Sequence, residues 1–111
     1  MKVLGDVSGK DIVIIDDMVD TAGTLTKAAD LMIERGANSV RAYCTHGVLS
    51  AEAHSRLDES KITELVITDT IPRNNSNSKV REISVASFLA TTIKAVVANE
   101  SISATWKSNN K

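Results

Sequence analysis

The stretch Asp11-Ile12-Val13-Ile14-Ile15 runs straight into two acids, Asp16 and Asp17. No other junction constrains the fold of this chain as tightly. A short, unbroken, β-branched run suits a strand buried on both faces of a parallel sheet. The turn-rich segment from Gly5 to Lys10 leads into it, and the two acids are expected to end it abruptly.

The pattern downstream repeats this alternation. Leu25, Ala28, Ala29, Met32 and Ile33 recur at helical spacing, which predicts a helix over 24–35 with Gly36 as its stop. A second strand is expected over 39–45 and a second helix over 50–57, with Ser50 as its N-cap. Leu65 to Thr68 reads as a third strand. A polar loop with Pro72, Asn74 and Asn75 follows, then a fourth strand within 80–85. A last helix over 86–98 is expected to bury Phe88, Leu89, Thr92, Ile93 and Val96. Residues 101–111 form a polar tail marked by Ile102 and Trp106. Such an order implies an α/β fold with right-handed crossovers and a mainly parallel sheet in three layers. Four strands make a small sheet, and the motif-bearing strand comes first, so an incomplete domain is expected.

Composition narrows the function. The 111 residues carry a formal net charge of −1, with 42% hydrophobic and 24% charged residues, as in a small globular domain. Neither a basic stripe nor a supply of aromatics is present, which argues against nucleic acid as a partner. No apolar run approaches the roughly 20 residues of a membrane span, and the N-terminus is too polar for a secretory signal. A single cysteine, Cys44, fits a reducing, cytoplasmic setting and reads as a small core residue rather than a nucleophile.

Function should sit beyond the carboxyl ends of the strands. Asp16-Asp17-Met18-Val19-Asp20-Thr21-Ala22-Gly23-Thr24 occupies that place. Asp20, Thr21, Ala22, Gly23 and Thr24 suit a phosphate: small residues admit an anion to the backbone, the threonines donate, and the first turn of the next helix offers free N–H groups. Asp16 and Asp17 would repel a bare phosphate. They make sense if they accept hydrogen bonds from sugar hydroxyls or hold Mg²⁺, directly or through water. A phosphorylated sugar with free hydroxyls satisfies both halves. The plainer alternative is a strand-to-helix turn with Asp20 or Thr21 as N-cap. A P-loop is excluded by the lack of GxxxxGK[ST], and no GxGxxG follows a strand. An aspartyl phosphatase would place a nucleophile at Asp16, but no lysine stands in a suitable downstream loop.

This loop resembles the phosphoribosyl-pyrophosphate loop of type I phosphoribosyltransferases. Together with Val7-Ser8-Gly9-Lys10-Asp11, Thr45-His46-Gly47-Val48-Leu49-Ser50, Thr68-Asp69-Thr70-Ile71-Pro72 and Ile83-Ser84-Val85-Ala86, it is similar to ribose-phosphate pyrophosphokinase, C-terminal portion. The resemblance implies a type I phosphoribosyltransferase-like domain segment over 1–111. It implies an enzyme that transfers pyrophosphate from ATP to ribose 5-phosphate with Mg²⁺. Asp16 and Asp17 would meet ribose hydroxyls or a hydrated metal, and Asp20 to Thr24 would cradle the 5-phosphate. ATP would bind through an upstream part with no counterpart here, leaving the isolated chain inactive. Ser50, Ser101 and Ser103 match positions that imply a regulatory anion site. A homo-oligomer is implied, and open sheet edges would favour one. Many relatives have glycine where Ala51 stands and asparagine where Asp69 stands. Another phosphoribosyltransferase, or a non-catalytic binding module, are the competing readings. His46 reads as a loop histidine, and Arg73 and Lys79 as solubilising charges.

Overall fold

The structure, a computed structural model, describes residues 5–73 and 76–104. The tail beyond residue 104, with Trp106, and Asn74 and Asn75 lie outside the described residues. Seven elements follow in order: β1 (Asp11–Val19), α1 (Gly23–Glu34), β2 (Ser39–Gly47), α2 (Ala53–Glu59), β3 (Glu64–Thr68), β4 (Val80–Ile83) and α3 (Ala86–Val97). The strands form one sheet in the order β1-β2-β3-β4, every neighbouring pair parallel. The α/β fold with a parallel sheet is as the sequence implied.

Strand order that advances one step at a time, with right-handed crossovers, puts successive helices on one side of the sheet. The core accordingly lies between α1 and α2 and a single sheet face. Val40, Ala42 and Cys44 of β2, Leu65 and Ile67 of β3 and Val80 of β4 pack there against Ala29 of α1 and Ala53 and Leu57 of α2. Burying a side chain such as Leu57 or Leu65 contributes roughly 1.5–3 kcal/mol. The register carries this stripe across the strands, with Ile12 beside Val40, Ala42 beside Leu65, and Leu65 beside Val80.

Three expectations about burial and strand ends need correction. First, β1 is not buried on both faces. Ile12 and Ile14 are half-buried against the core, but Val13 is 53% and Ile15 80% exposed. Alternation sends those two to the face opposite α1 and α2. Second, the strands do not stop at their first polar residues. β1 continues through Asp16 and Asp17 to Val19, and β2 through His46 to Gly47. The backbones keep pairing, Asp16 with Cys44 and Met18 with His46. An edge strand open to water tolerates the acids. Third, α3 does not bury the face expected of it. Phe88, Leu89, Ile93 and Val96 are exposed, Ile93 by 64%, and only Ala95 is buried. Among the described residues α3 packs extensively on no other element.

Two glycines answer to specific needs. Gly36, at φ +97°, ends α1: its N–H reaches the Ile33 carbonyl and that of Ala37 reaches Met32, each at 3.0 Å. This is the paired closure that a left-handed residue after a helix permits. Gly47 admits Ile67, whose Cδ1 would lie 2.6 Å from any Cβ placed there. The expected start of α2 at Ser50 is displaced to Ala53, with Glu52 at the N-cap; the Ser50 hydroxyl and N–H are engaged with Asp20 instead.

Candidate functional site

Three residues, Asp20, Thr21 and Ala22, carry the chain from β1 to α1. Ala22 takes the N-cap position in the left-handed conformation, φ 64° and ψ 11°, and no side chain caps the helix. Neither Asp20 nor Thr21 therefore serves as the N-cap that a plain turn would use. Thr26 closes back on the loop, its N–H on the Ala22 carbonyl at 3.0 Å and its hydroxyl on the same oxygen at 2.6 Å. The N–H groups at the head of α1 have no acid in the first turn to satisfy them. Such groups, at the positive end of the helix dipole, favour an anion.

Beside this turn lies a cavity of about 380 Å³, within the range of small-ligand sites. Asp16, Asp20, Thr21, Ala22, Gly23 and Thr24 line it, over an apolar wall that includes Ile14, Met18 and Leu25. Six of the seven predicted binding residues thus converge. Asp17 does not line the cavity; it stands exposed on β1, and its N–H donates to the Asp16 carboxylate at 2.8 Å. Successive strand positions face opposite ways, so the two acids do not converge on one ion. Among the described residues no group of three or more His, Cys, Asp or Glu side chains is arranged to hold a metal. Magnesium needs only one or two carboxylates when water and substrate phosphate complete its shell, and Asp16 suits that role.

The β2–α2 connection braces the turn. The N–H of Val48 reaches the Val19 carbonyl at 3.0 Å, and that of Ser50 reaches the Asp20 carbonyl at 3.0 Å. The Ser50 hydroxyl donates to the Asp20 carboxylate. From α2, Arg56 donates to the Thr21 carbonyl at 3.1 Å. Neither contact was foreseen from sequence. Ser50 had a signal: loops after adjacent parallel strands lie side by side at the sheet's mouth. Arg56 had none, since its contact depends on where α2 lands.

The remaining candidates fall elsewhere. Ser101 accepts from the Ala104 N–H at 3.3 Å in the turn beyond α3, and Ser103 is exposed in that turn. His46 stands at the end of β2 with Nδ1 2.7 Å from the Thr70 hydroxyl. The Asp69 carboxylate accepts from the Val85 N–H at 2.9 Å. Hydrogen bonds from Ser84 and from Val85 hold its pKa below the usual value, so it anchors the entry to α3. Lys79 caps α2, with Nζ 3.0 Å from the Leu57 carbonyl and 2.8 Å from that of Ser60. Arg73 pairs with Glu82 at 3.5 Å. Cys44 is buried, and burial first, then the charges of Asp16 and Asp17, pushes its thiol up to about 11. A thiol held protonated is no nucleophile at neutral pH. No helix among the described residues is long and apolar enough to cross a membrane.

The profile of the phosphoribosyl synthetase-associated domain family matches residues 1–107. The chain belongs to that family. Family relatives named ribose-phosphate pyrophosphokinase, a transferase, align with nearly all of it. The protein from Porphyromonas gingivalis is 50% identical over 102 residues, and that from Helicobacter hepaticus 48% over 102. Each alignment covers 92% of this chain and 33% of the relative. This member of the phosphoribosyl synthetase-associated domain family therefore spans about one third of the length of the curated relatives it matches. Its fold superposes on a phosphoribosylpyrophosphate synthetase from Mycobacterium smegmatis with a TM-score of 0.84 and 42% identity. The match covers 86% of this chain and 33% of that one.

Proposed function

We propose that this chain is the sugar-phosphate-binding, C-terminal part of a ribose-phosphate pyrophosphokinase, with ribose 5-phosphate as its ligand. One observation carries the reading: the uncapped head of α1 and the Asp16 carboxylate open onto the same cavity. A phosphate placed on the first-turn N–H groups leaves a sugar within that cavity, where Asp16 accepts from a hydroxyl. Thr21 and Thr24 supply further donors to the phosphate. The names of the relatives agree with this ligand.

In the whole enzyme, the pyrophosphoryl group would pass from ATP to the anomeric hydroxyl, which loses its proton as AMP leaves. The residues described here bind and orient the acceptor, which is the main demand of phosphoryl-type transfers. Mg²⁺, held by Asp16 through water, would neutralise charge on the phosphates. ATP-binding residues would come from polypeptide outside this chain. Assembly into a homo-oligomer belongs to the same reading, supported by the exposed apolar residues of the outer sheet face, Val13, Ile15, Tyr43 and Ile83.

Titration with ribose 5-phosphate, with and without Mg²⁺, tests the proposal through the amide resonances of Gly23 and Thr24. Shifts concentrated there are expected, together with little or no ATP-dependent pyrophosphoryl transfer by the chain alone. Shifts scattered over the surface, or none, would sink the assignment. Robust turnover would refute the need for an ATP-binding part from elsewhere.

A further inference from the structure

Arg56 grips the phosphate loop from behind. Its Nη1 donates to the Thr21 carbonyl at 3.1 Å. The same nitrogen lies 3.4 Å from where a Cβ on Gly23 would stand. Nη2 is 3.5 Å from the exposed carboxylate of Glu52, the N-cap residue of α2. Arg56 does not line the cavity that holds Asp16. It lines the groove between α1 and α2, with Lys27 and Asp30. The loop therefore separates the arginine from the ligand side.

A trans peptide is planar, so its C=O and the N–H that follows point in opposite directions. No cis bond occurs among the described residues. Drawing the Thr21 oxygen toward α2 turns the Ala22 N–H away from α2. In a loop of three residues, this peptide leads directly into the left-handed Ala22 and the head of α1. Its rotation would change which donors meet the anion. The guanidinium also places fixed positive charge close behind Gly23.

The geometry points to Arg56 as a positioning residue for the sugar phosphate: it sets the Thr21–Ala22 peptide so that its N–H faces the ligand. This inference rests on the sugar-phosphate reading above. It extends that site to α2, whose sequence carries no anion motif.

The test compares wild type with Arg56→Gln and Arg56→Lys in ribose 5-phosphate titrations, at a temperature where all are folded. The sheet amides of Val40 and Leu65 report folding. Arg56→Gln is expected to weaken binding roughly tenfold, the value of one charge-assisted hydrogen bond. It should also displace the Ala22 and Gly23 amide resonances before ligand is added. Arg56→Lys keeps the charge without the fork and should fall between, with a still displaced Ala22 amide. A merely structural role would lower the unfolding midpoint without moving affinity in the folded protein. Wild type that binds, alongside Arg56→Gln with unchanged affinity and an unmoved Ala22 amide, overturns the inference and leaves the site intact. If Arg56→Gln does not fold, the same unchanged result for Arg56→Lys overturns it. Wild type that fails to bind removes the site, and the role of Arg56 with it.

Discussion

The Ser50 hydroxyl donates to the Asp20 carboxylate, and the Ser50 N–H to the Asp20 carbonyl. Two bonds between one pair of residues tie the connection after β2 to the loop after β1. The Asp20 carboxylate, in the turn ahead of α1, thus has its charge partly met by a neighbour within the fold.

Holding Ser50 in this place requires an unusual backbone around it. Leu49 and Ala51 both adopt positive φ, 50° and 52°, which costs a residue with a Cβ about 1–2 kcal/mol. Ala51→Gly should relieve that strain. Glycine loses more freedom on folding, so the expected net gain is roughly 0.5–1 kcal/mol in chemical denaturation. Ser50→Ala should act in the other direction, by about 1 kcal/mol, and should weaken ribose 5-phosphate binding by freeing Asp20. Equal stability of all three proteins would mean that the brace contributes nothing.

The pKa of Cys44 links the core to pH. Its thiol titrates at about 11 in the folded chain against 9.0 for the ordinary thiol. Between those values the folded state holds a proton that the unfolded state has released. Stability is therefore expected to be unaffected by this group below pH 9 and to fall as pH rises from 9 towards 11. Modification by a thiol reagent at pH 8 should be slow in the folded protein and fast in denaturant. Rapid labelling under native conditions would contradict the buried, protonated thiol.

Much of this architecture could be read from residue pattern alone. The aliphatic runs at 12–15 and 65–67 marked strands, and the spacing of Leu25, Ala28, Ala29, Met32 and Ile33, closed by Gly36, marked α1. Strand ends were less legible, because Asp16, Asp17 and His46 are polar by side chain while their backbones still pair. Burial was the least legible feature. The period of Phe88, Leu89, Thr92, Ile93 and Val96 states which side of α3 is apolar. It cannot state whether any element in this chain covers that side. The loop motif revealed its own residues but not its supports, since Ser50 and Arg56 reach it only through the placement of β2 and α2.

That difference in burial can be measured. Leu57 is fully buried, and Leu57→Ala should cost about 2–5 kcal/mol of stability. Ile93 is as apolar but stands out on α3, so Ile93→Gln should change stability by less than about 0.5 kcal/mol. Comparison of the two denaturation curves decides the matter. A large loss with Ile93→Gln would place α3 against a packed surface.

Asp16 gives the sharpest discrimination between a general anion site and a sugar-phosphate site. The carboxylate lines the same cavity as the head of α1, and like charges a few ångströms apart in an exposed site repel by about 1 kcal/mol. Asp16→Asn removes that repulsion, so inorganic phosphate should bind the variant more tightly, by about fivefold. Ribose 5-phosphate with Mg²⁺ should respond in the opposite sense, because the variant loses the acceptor for the hydroxyl and the anchor for the hydrated ion. Asp17→Asn, on the opposite side of β1, should change both affinities less. Isothermal titration of both ligands against the three proteins separates these outcomes. A gain for both ligands with Asp16→Asn would mean that the acid only opposes anions. The cavity would then be a phosphate cradle with no grip on the sugar.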